Sequence, residues 1–213
     1  MKYDLHIHTK YSKCSINAPD KILKIAKQKG LNGIAITDHH TTIGAHKVEK
    51  LNKDKDFEVI IGEEITTEYG DVLGLFLQEE IKARKLFEVM DEIKAQDGII
   101  VVAHPFRIVP WLKFKYPLQK LKGKVDGLET LNSRNFPYSN NASEKAANKY
   151  HFAKIGSSDA HLPFDVGNAY TICNNLRKDI KNRKTTVKGS TKFGLISGGC
   201  AAIIKRYKTW FLR

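Results

Sequence analysis

Short, mostly apolar runs recur along the chain, and stretches with an apolar residue at every third or fourth position separate them. The runs lie at residues 3–7, 33–36, 57–61, 98–103, 126–131, 152–156 and 166–173. Their length and their valine and isoleucine content are typical of buried β-strands. A chain that alternates strands with helices favours a parallel sheet with crossover helices on its outer face.

The stretches between the runs carry the helical spacing. They predict helices at residues 19–29, 43–53, 79–96 and 142–150. Pro19 and Asp20 mark the start of the first helix, and Gly30 marks its end. The third helix is predicted to be the longest, and its buried face consists of Ile81, Leu86, Val89, Met90 and Ile93.

Several of the predicted strands end in histidine, aspartate or glutamate. His6 and His8 are two positions apart, so in an extended strand both side chains project from the same face. The other groups at strand ends are Asp38, His39, Glu63, Glu64, His104, Asp159 and His161. Each one singly has an ordinary explanation as a helix cap, a turn residue or a solvated carboxylate. Together they favour a ring of parallel strands whose C-terminal ends converge on one site.

The residue types at these strand ends indicate a divalent metal ion. Imidazoles with carboxylates, without a Cys-x-x-Cys pair, suit zinc, manganese or iron at a catalytic site. The chain offers more candidate ligands than one ion uses. We expect Glu64 to be a bridging carboxylate that holds two ions about 3.5–4 Å apart.

At these residues the chain resembles the polymerase and histidinol phosphatase (PHP) family of metal-dependent phosphoesterases. The matching motifs are residues 4–9 (DLHIHT), 36–39 (ITDH), 62–65 (GEEI), 103–105 (AHP), 127–132 (GLETLN) and 158–161 (SDAH). They occur in the family's order and span residues 3 to about 172. The resemblance implies a distorted seven-stranded β/α barrel, a site with two or three metal ions, and the hydrolysis of phosphate esters.

The resemblance also implies a role for each matching residue. The metal ligands would be His6, His8 and Asp159 for the first ion, Glu64 as the bridge, His104 for the second ion, and His39 and His161 for the third. Two departures from the family pattern affect the third ion. Ser12-Lys13-Cys14 stands where family members often place an aspartate or histidine, and residues 65–103 lack the histidine that the family often carries there. We therefore expect two or three ions, with two favoured over three, and the Cys14 thiolate is a candidate ligand at the third position.

Size and composition are those of one folded domain, or of one domain with a tail. The chain has 213 residues, of which 41% are hydrophobic and 9% aromatic. There is no run of about 18 apolar residues that would indicate a membrane span. The chain starts directly in a predicted strand, and its three cysteines are far apart, so we expect a cytoplasmic location.

The net charge of +13 favours anionic partners. A phosphorylated small molecule, a nucleotide and single-stranded nucleic acid all fit this charge. A proteome rich in lysine would produce the same excess of positive charge. The charge therefore agrees both with anionic partners and with such a background.

The composition changes near residue 176. We expect a metal-dependent barrel over residues 1–176, and a basic connector with a helix packed on the barrel over residues 177–213. The alternative is a tail that binds a membrane surface or a partner, because Trp210 and Phe211 lie beside Lys208 and Arg213.

These observations lead to the hypothesis of a metal-dependent hydrolase of phosphate esters, in which a metal-activated water attacks phosphorus. Arg107 is the leading candidate for the cation that binds phosphate, and Arg134 is the second. Asp38 is a candidate to shuttle a proton or to orient His39. The alternatives are a nuclease that acts on single-stranded DNA or RNA ends, and a non-catalytic barrel that serves as a nucleic-acid-binding subunit.

Overall fold

The structure is a computed structural model that describes residues 1–192 and 194–211, with only the backbone described for residues 111, 194–198, 205 and 211. Within these residues, nine strands form one mixed sheet. The strands are β1 Lys2–Ile7, β2 Gly33–Ile36, β3 Glu58–Thr67, β4 Gly70–Leu75, β5 Ile99–Val102, β6 Gly127–Asn132, β7 Ala153–Ser157, β8 Ala169–Ile172 and β9 Thr186–Gly189. The α-helices are α1 Pro19–Gln28, α2 Ile43–Leu51, α3 Leu86–Ala95, α4 Pro137–Tyr150, α5 Leu176–Lys181 and α6 Gly194–Phe211.

The sheet curls into a nearly closed barrel with the strand order β7-β6-β5-β4-β3-β2-β1-β8-β9. The end of β1 pairs with the segment that follows β7. The amide of His8 donates to the carbonyl of Ala160 over 2.9 Å, and the amide of Ala160 donates to the carbonyl of His6 over 3.2 Å. The predicted α/β barrel is confirmed, and the closure brings the two ends of the motif series together.

Only part of the sheet is parallel. Strands β1, β2 and β3 are parallel to one another, and so are β5, β6 and β7. Between these two groups β4 is antiparallel, and it forms a hairpin with β3 that turns at Gly70. The φ angle of Gly70 is +124°, which side-chain-bearing residues rarely adopt. The sequence predictions include neither β4 nor β9, which pairs with β8 in antiparallel fashion.

Residues 79–85 are not helical, so the longest predicted helix is shortened to α3. Side-chain carboxylates bind the amides of this segment. Glu63 accepts from the amide of Ile81 over 2.9 Å, and Glu92 accepts from the next two amides over 2.8 and 3.1 Å. Amides that side chains satisfy gain nothing from helical partners, so the prediction was wrong for this segment.

Apolar packing holds the strand ends in place. One buried cluster joins the helices to the sheet through residues such as Ile22, Val48 and Val89, and a second contains Leu5 and Val101. Each fully buried aliphatic side chain contributes about 1.5–3 kcal/mol relative to exposure. The packed core therefore holds the polar groups at the strand ends in fixed positions.

Helix α6 lies against the loop that follows β1, where the Lys208 ammonium binds main-chain carbonyls. Among the side chains of this helix that the structure describes, the large apolar ones that are exposed are Ile203, Tyr207 and Trp210. Residues 193, 212 and 213 and the side chain of Phe211, which belong to the predicted tail, lie outside the described residues. None of the helices in the described part of the chain has the length and apolarity that a membrane crossing requires.

Candidate metal centre

The predicted ligands meet at one end of the barrel. His6 lies in β1 and His8 directly follows it, while His104 and Asp159 lie just beyond the ends of β5 and β7. The Nε2 atoms of His6 and His8 are 3.0 Å apart, so the two side chains share a face as their spacing predicts. All the candidate ligands of the first ion are buried. The barrel thus shields these side chains from bulk water.

Glu64, in β3, lies at the middle of the centre. Its Oε2 atom is 3.3 Å from Nε2 of His6, 3.2 Å from Nε2 of His8 and 3.2 Å from Nδ1 of His39. Its Oε1 atom is 3.1 Å from Nε2 of His104. A single carboxylate therefore lies between two groups of imidazoles.

Two residues of the centre have unusual backbone conformations. His104 has a φ angle of +28° and Asp159 a φ angle of +53°, both in the left-handed region that disfavours side chains other than glycine. Such conformations persist only where the surrounding structure enforces them, and they cluster at functional sites. His104 is hydrogen-bonded to Glu64, and Oδ1 of Asp159 lies 3.5 Å from Nε2 of His8.

Hydrogen bonds to the outer ring nitrogens indicate which atoms carry lone pairs. Nδ1 of His6 lies 3.0 Å from a carboxylate oxygen of Glu129, which only accepts, so this nitrogen carries the proton. Nδ1 of His8 lies 3.2 Å from Oγ of Ser12, and that hydroxyl donates to Asp38 over 2.7 Å. In the neutral rings both Nε2 atoms are then acceptors that face each other. Two such atoms at 3.0 Å repel unless a proton or a metal ion lies between or beside them. Both rings and the neighbouring carboxylates are groups that a metal ion can bind in place of a proton, so this donor set fits a metal ion.

Glu129, at the centre of β6, was not among the predicted ligands. Besides contacting His6, it accepts from the amide of His104 over 2.7 Å and from Nδ2 of Asn132 over 2.9 Å. Nδ2 of Asn132 also lies 3.2 Å from Asp159. The sequence signals for Glu129 are its place within an apolar run and within the matching motif at residues 127–132, and neither indicates its partner His6, which lies far away along the chain.

Asp71 was also missed. It lies in β4, the strand that the sequence prediction lacks, and its carboxylate forms a cluster with Glu64 and His104. The candidate ligand atoms of these three residues all lie within 4.8 Å of one another. Asp71 therefore offers a carboxylate in the part of the chain where the family often carries a histidine.

Burial and neighbouring charges set the protonation of the centre. Burial alone raises the pKa of Glu64, but the imidazoles of His39 and His6 outweigh it and hold that pKa well below its usual value. Burial likewise raises the pKa of Asp159, and the charges of Arg134 and His6 outweigh it. For His6, burial lowers the pKa but the carboxylates Glu64 and Asp159 raise it further. The carboxylates stay ionised, and such a site attracts cations.

A second set of donors lies on the outer side of His8. The potential ligand atoms of His8, Cys14, His39 and His161 all lie within 4.8 Å of one another. The ring centroids of His8 and His161 are 4.3 Å apart, and those of His8 and His39 are 4.8 Å apart. The structure thus brings Cys14 together with the histidines that the resemblance assigns to a third ion.

Asp38 has a different environment from the other predicted residues. Its carboxylate accepts from the amide and the hydroxyl of Thr9 over 2.7 and 2.6 Å and from Ser12 over 2.7 Å. Gly44 permits this approach, because a Cβ atom there would lie 1.9 Å from Oδ2 of Asp38. These contacts tie the loop after β1 to the end of β2.

Both predicted arginines contact Asp159. Nη2 of Arg107 donates to it over 2.7 Å, and Nη1 of Arg134 lies 3.2 Å from its other oxygen. Both guanidinium groups line a cavity of about 430 Å³ that opens above the centre. Lys115, which the sequence prediction did not single out, also lines this cavity. The cavity therefore combines candidate metal ligands with cations that can bind an anion.

The chain was compared with known protein families, proteins and structures. The sequence model of the PHP domain matches residues 4–181. An uncharacterized protein of Methanocaldococcus jannaschii is 39% identical over 150 residues, which are 62% of this chain and 82% of that protein. A 5′-3′ exoribonuclease of Haemophilus influenzae is 35% identical over 68 residues, 32% of this chain and 24% of that enzyme.

Among solved structures, the chain is similar to a two-domain protein from Bacteroides vulgatus that contains a predicted PHP-like metal-dependent phosphoesterase. The TM-score is 0.77 at 19% identity, and the alignment covers 89% of this chain and 65% of that chain. The two proteins therefore share a fold. The part of the chain after residue 181, including α6, lies outside the family match.

Proposed function

This chain belongs to the PHP domain family, and we propose that it is a metal-dependent phosphoesterase that acts on a phosphorylated small molecule or a nucleotide. The observation that carries the proposal is the pair of Nε2 atoms of His6 and His8, 3.0 Å apart beside the Glu64 carboxylate. Two imidazole nitrogens that converge beside a carboxylate are a donor set that suits a divalent cation.

The proposed metal ligands follow from the clusters around Glu64. They are His6, His8 and Asp159 for a first ion, Glu64 as the bridge, His104 and Asp71 for a second ion, and Cys14, His39 and His161 for a third. Zinc, manganese and iron all suit these donors. When bound, such ions supply an activated water at neutral pH and positive charge for the phosphate oxygens.

In this proposal the arginines bind the substrate. The guanidinium groups of Arg107 and Arg134 are planar, permanently charged donors that match phosphate oxygens in pairs. Both face the cavity, and each already contacts the Asp159 carboxylate. They orient the ester and stabilise the negative charge that develops on its non-bridging oxygens.

We assign Asp38 and Glu129 to positioning. Asp38 holds the Ser12 hydroxyl that accepts from Nδ1 of His8, and Glu129 accepts directly from Nδ1 of His6. Carboxylates in these places fix the tautomer of a ligating histidine and increase its basicity. Their removal lowers metal affinity without deleting a ligand.

Metal dependence tests the proposal directly. The purified protein should contain at least about two divalent ions per chain, and about three if the position at Cys14 is filled, and it should hydrolyse p-nitrophenyl phosphate. Removing the ions with a chelator should lower the rate at least about 1,000-fold, because the water nucleophile loses its activation. Plasma mass spectrometry gives the metal content, and adding back manganese or zinc should restore turnover. Full activity after complete chelation would contradict the proposal.

The third position can be tested separately, because a thiolate ligand has its own spectrum. Cobalt(II) bound there should give an intense sulfur-to-cobalt charge-transfer band, and Cys14→Ser should remove it. Cys173→Ser is the matched control, because Cys173 is also buried but lies in the second apolar cluster. A band that survives in Cys14→Ser would show that Cys14 is not a ligand.

A second candidate function is the hydrolysis of single-stranded nucleic acid from its ends. The similarity to the Haemophilus exoribonuclease and the net charge of +13 favour it. A nuclease of this kind should bind an oligonucleotide with a steep dependence on salt concentration. Digestion of a 5′-phosphorylated oligonucleotide at a rate similar to that for p-nitrophenyl phosphate would favour this alternative.

A further inference from the structure

Helix α6 forms one wall of the cavity above the proposed metal centre. Ala201 and Ala202 line the cavity together with Arg107 and Arg134. Ala201 is only 3% exposed, so the helix lies directly on the barrel at this point. The lining also includes residues from the β3–β4 hairpin and the loop after β5, namely Thr66, Thr67, Gly70, Leu112 and Lys115.

Lys208 ties α6 to the loop after β1. Its ammonium group donates to the main-chain carbonyl oxygens of Lys10, Ser12 and Ser15 over 3.0, 3.1 and 2.5 Å. An ammonium has three N–H donors, and all three are used here. The loop it binds carries Ser12 and Cys14, so the helix is attached to a segment of the centre itself.

Helical geometry connects these contacts. Ala201 and Lys208 are seven residues apart, which is close to two full turns, so both lie on the barrel-facing side of α6. Lys208 therefore determines where the alanine pair lies relative to the cavity. The small side chains of the two alanines leave room for a substrate in the cavity, whereas the backbone of α6 closes the cavity along this wall.

We propose that α6 restricts this site to phosphate esters of small molecules, with Lys208 as the positioning residue and Ala202 as a specificity-determining residue; the inference rests on the proposed function. A volume of about 430 Å³ lies in the lower part of the range for small-molecule sites, roughly 300–1,000 Å³. An oligonucleotide needs a groove that follows its backbone past the site. The wall formed by α6 stands in the way of such a path.

The test compares two substrates across three variants. The substrates are p-nitrophenyl phosphate and a 5′-phosphorylated trinucleotide. Lys208→Met should raise the ratio of kcat/KM for the trinucleotide to kcat/KM for p-nitrophenyl phosphate by about tenfold, because α6 is then no longer held beside the cavity. Ala202→Phe should lower the same ratio by about tenfold, because the entrance is narrowed. Arg206→Met is the matched control, since Arg206 is exposed on the same helix and its loss removes the same charge.

Hydrogen exchange provides a readout independent of activity. Lys208→Met should accelerate amide exchange in α6 and in residues 10–15, and Arg206→Met should not. An active enzyme whose substrate ratio is the same in wild type, Lys208→Met and Ala202→Phe would overturn the proposal. A wild-type protein inactive on every phosphate ester would instead contradict the proposed function, and unchanged exchange in Lys208→Met would overturn the role of Lys208.

Discussion

Replacing Glu64 with glutamine is expected to remove metal binding and to lower kcat/KM for a phosphate ester at least about 1,000-fold. One Glu64 oxygen lies within 3.3 Å of His6 and His8, and the other lies 3.1 Å from His104. Glutamine has the same shape but no charge, and its amide group donates where the carboxylate accepts. It can neither bridge two ions nor offset their charge.

The measurement separates a ligand from a substrate-binding residue. Metal content by mass spectrometry, circular dichroism and steady-state kinetics are recorded for Glu64→Gln and for Arg107→Gln. In Arg107→Gln we expect the metal content to be retained and turnover to fall by about 10–100-fold, because only phosphate binding is lost. A Glu64→Gln protein with the wild-type metal content would show that Glu64 is not the bridge.

Replacing Asp4 with asparagine is expected to lower the free energy of unfolding by about 2–4 kcal/mol. The Asp4 side chain is buried and accepts from the amide and the hydroxyl of Ser158 over 2.9 and 2.5 Å and from the amide of Gly167 over 2.8 Å. These bonds join β1 to the segments on either side of Asp159. In asparagine an NH₂ group replaces one of the two oxygens and faces N–H or O–H donors, which leaves buried groups unpaired.

Urea denaturation followed by circular dichroism checks this expectation. Burial raises the pKa of Asp4 to about 6, so the comparison belongs at pH 8, where the wild-type carboxylate is ionised. A chelator is present throughout, so that metal binding does not contribute to the difference. Asp56→Asn is the control, because Asp56 is exposed and its change should stay within about 0.5 kcal/mol. Equal unfolding midpoints for wild type and Asp4→Asn would contradict the role of Asp4.

The convergence of the candidate metal ligands could be predicted in part because it depends on local periodicity. Two histidines at i and i+2 in a strand share a face whatever the rest of the fold does, and His6 and His8 do so here. Apolar runs that end in His104 or Asp159 indicate where the chain leaves a buried strand. The order of these motifs then predicted the barrel, because parallel strands end at the same edge.

Residues of the site that depend on distant partners were not predictable. Glu129 contacts His6, from which it is separated by 123 positions, and nothing in its own neighbourhood indicates that contact. Asp71 reaches the centre only because β4 runs antiparallel between two parallel groups of strands. Residues 79–85 leave the helical conformation because Glu63 and Glu92 bind their amides.

The sequence by itself determined the kinds of ligand, their placement at strand ends and the class of fold, because side-chain direction and hydrophobic period are properties of a few neighbouring residues. The tertiary structure alone decided which carboxylate lies between the imidazoles, which ring nitrogens carry protons, and that α6 lies beside the cavity. Those features are set by contacts such as that of Lys208 with the carbonyl of Lys10, 198 positions away. The free energy of such contacts depends on the closure of the whole barrel, which no local pattern encodes.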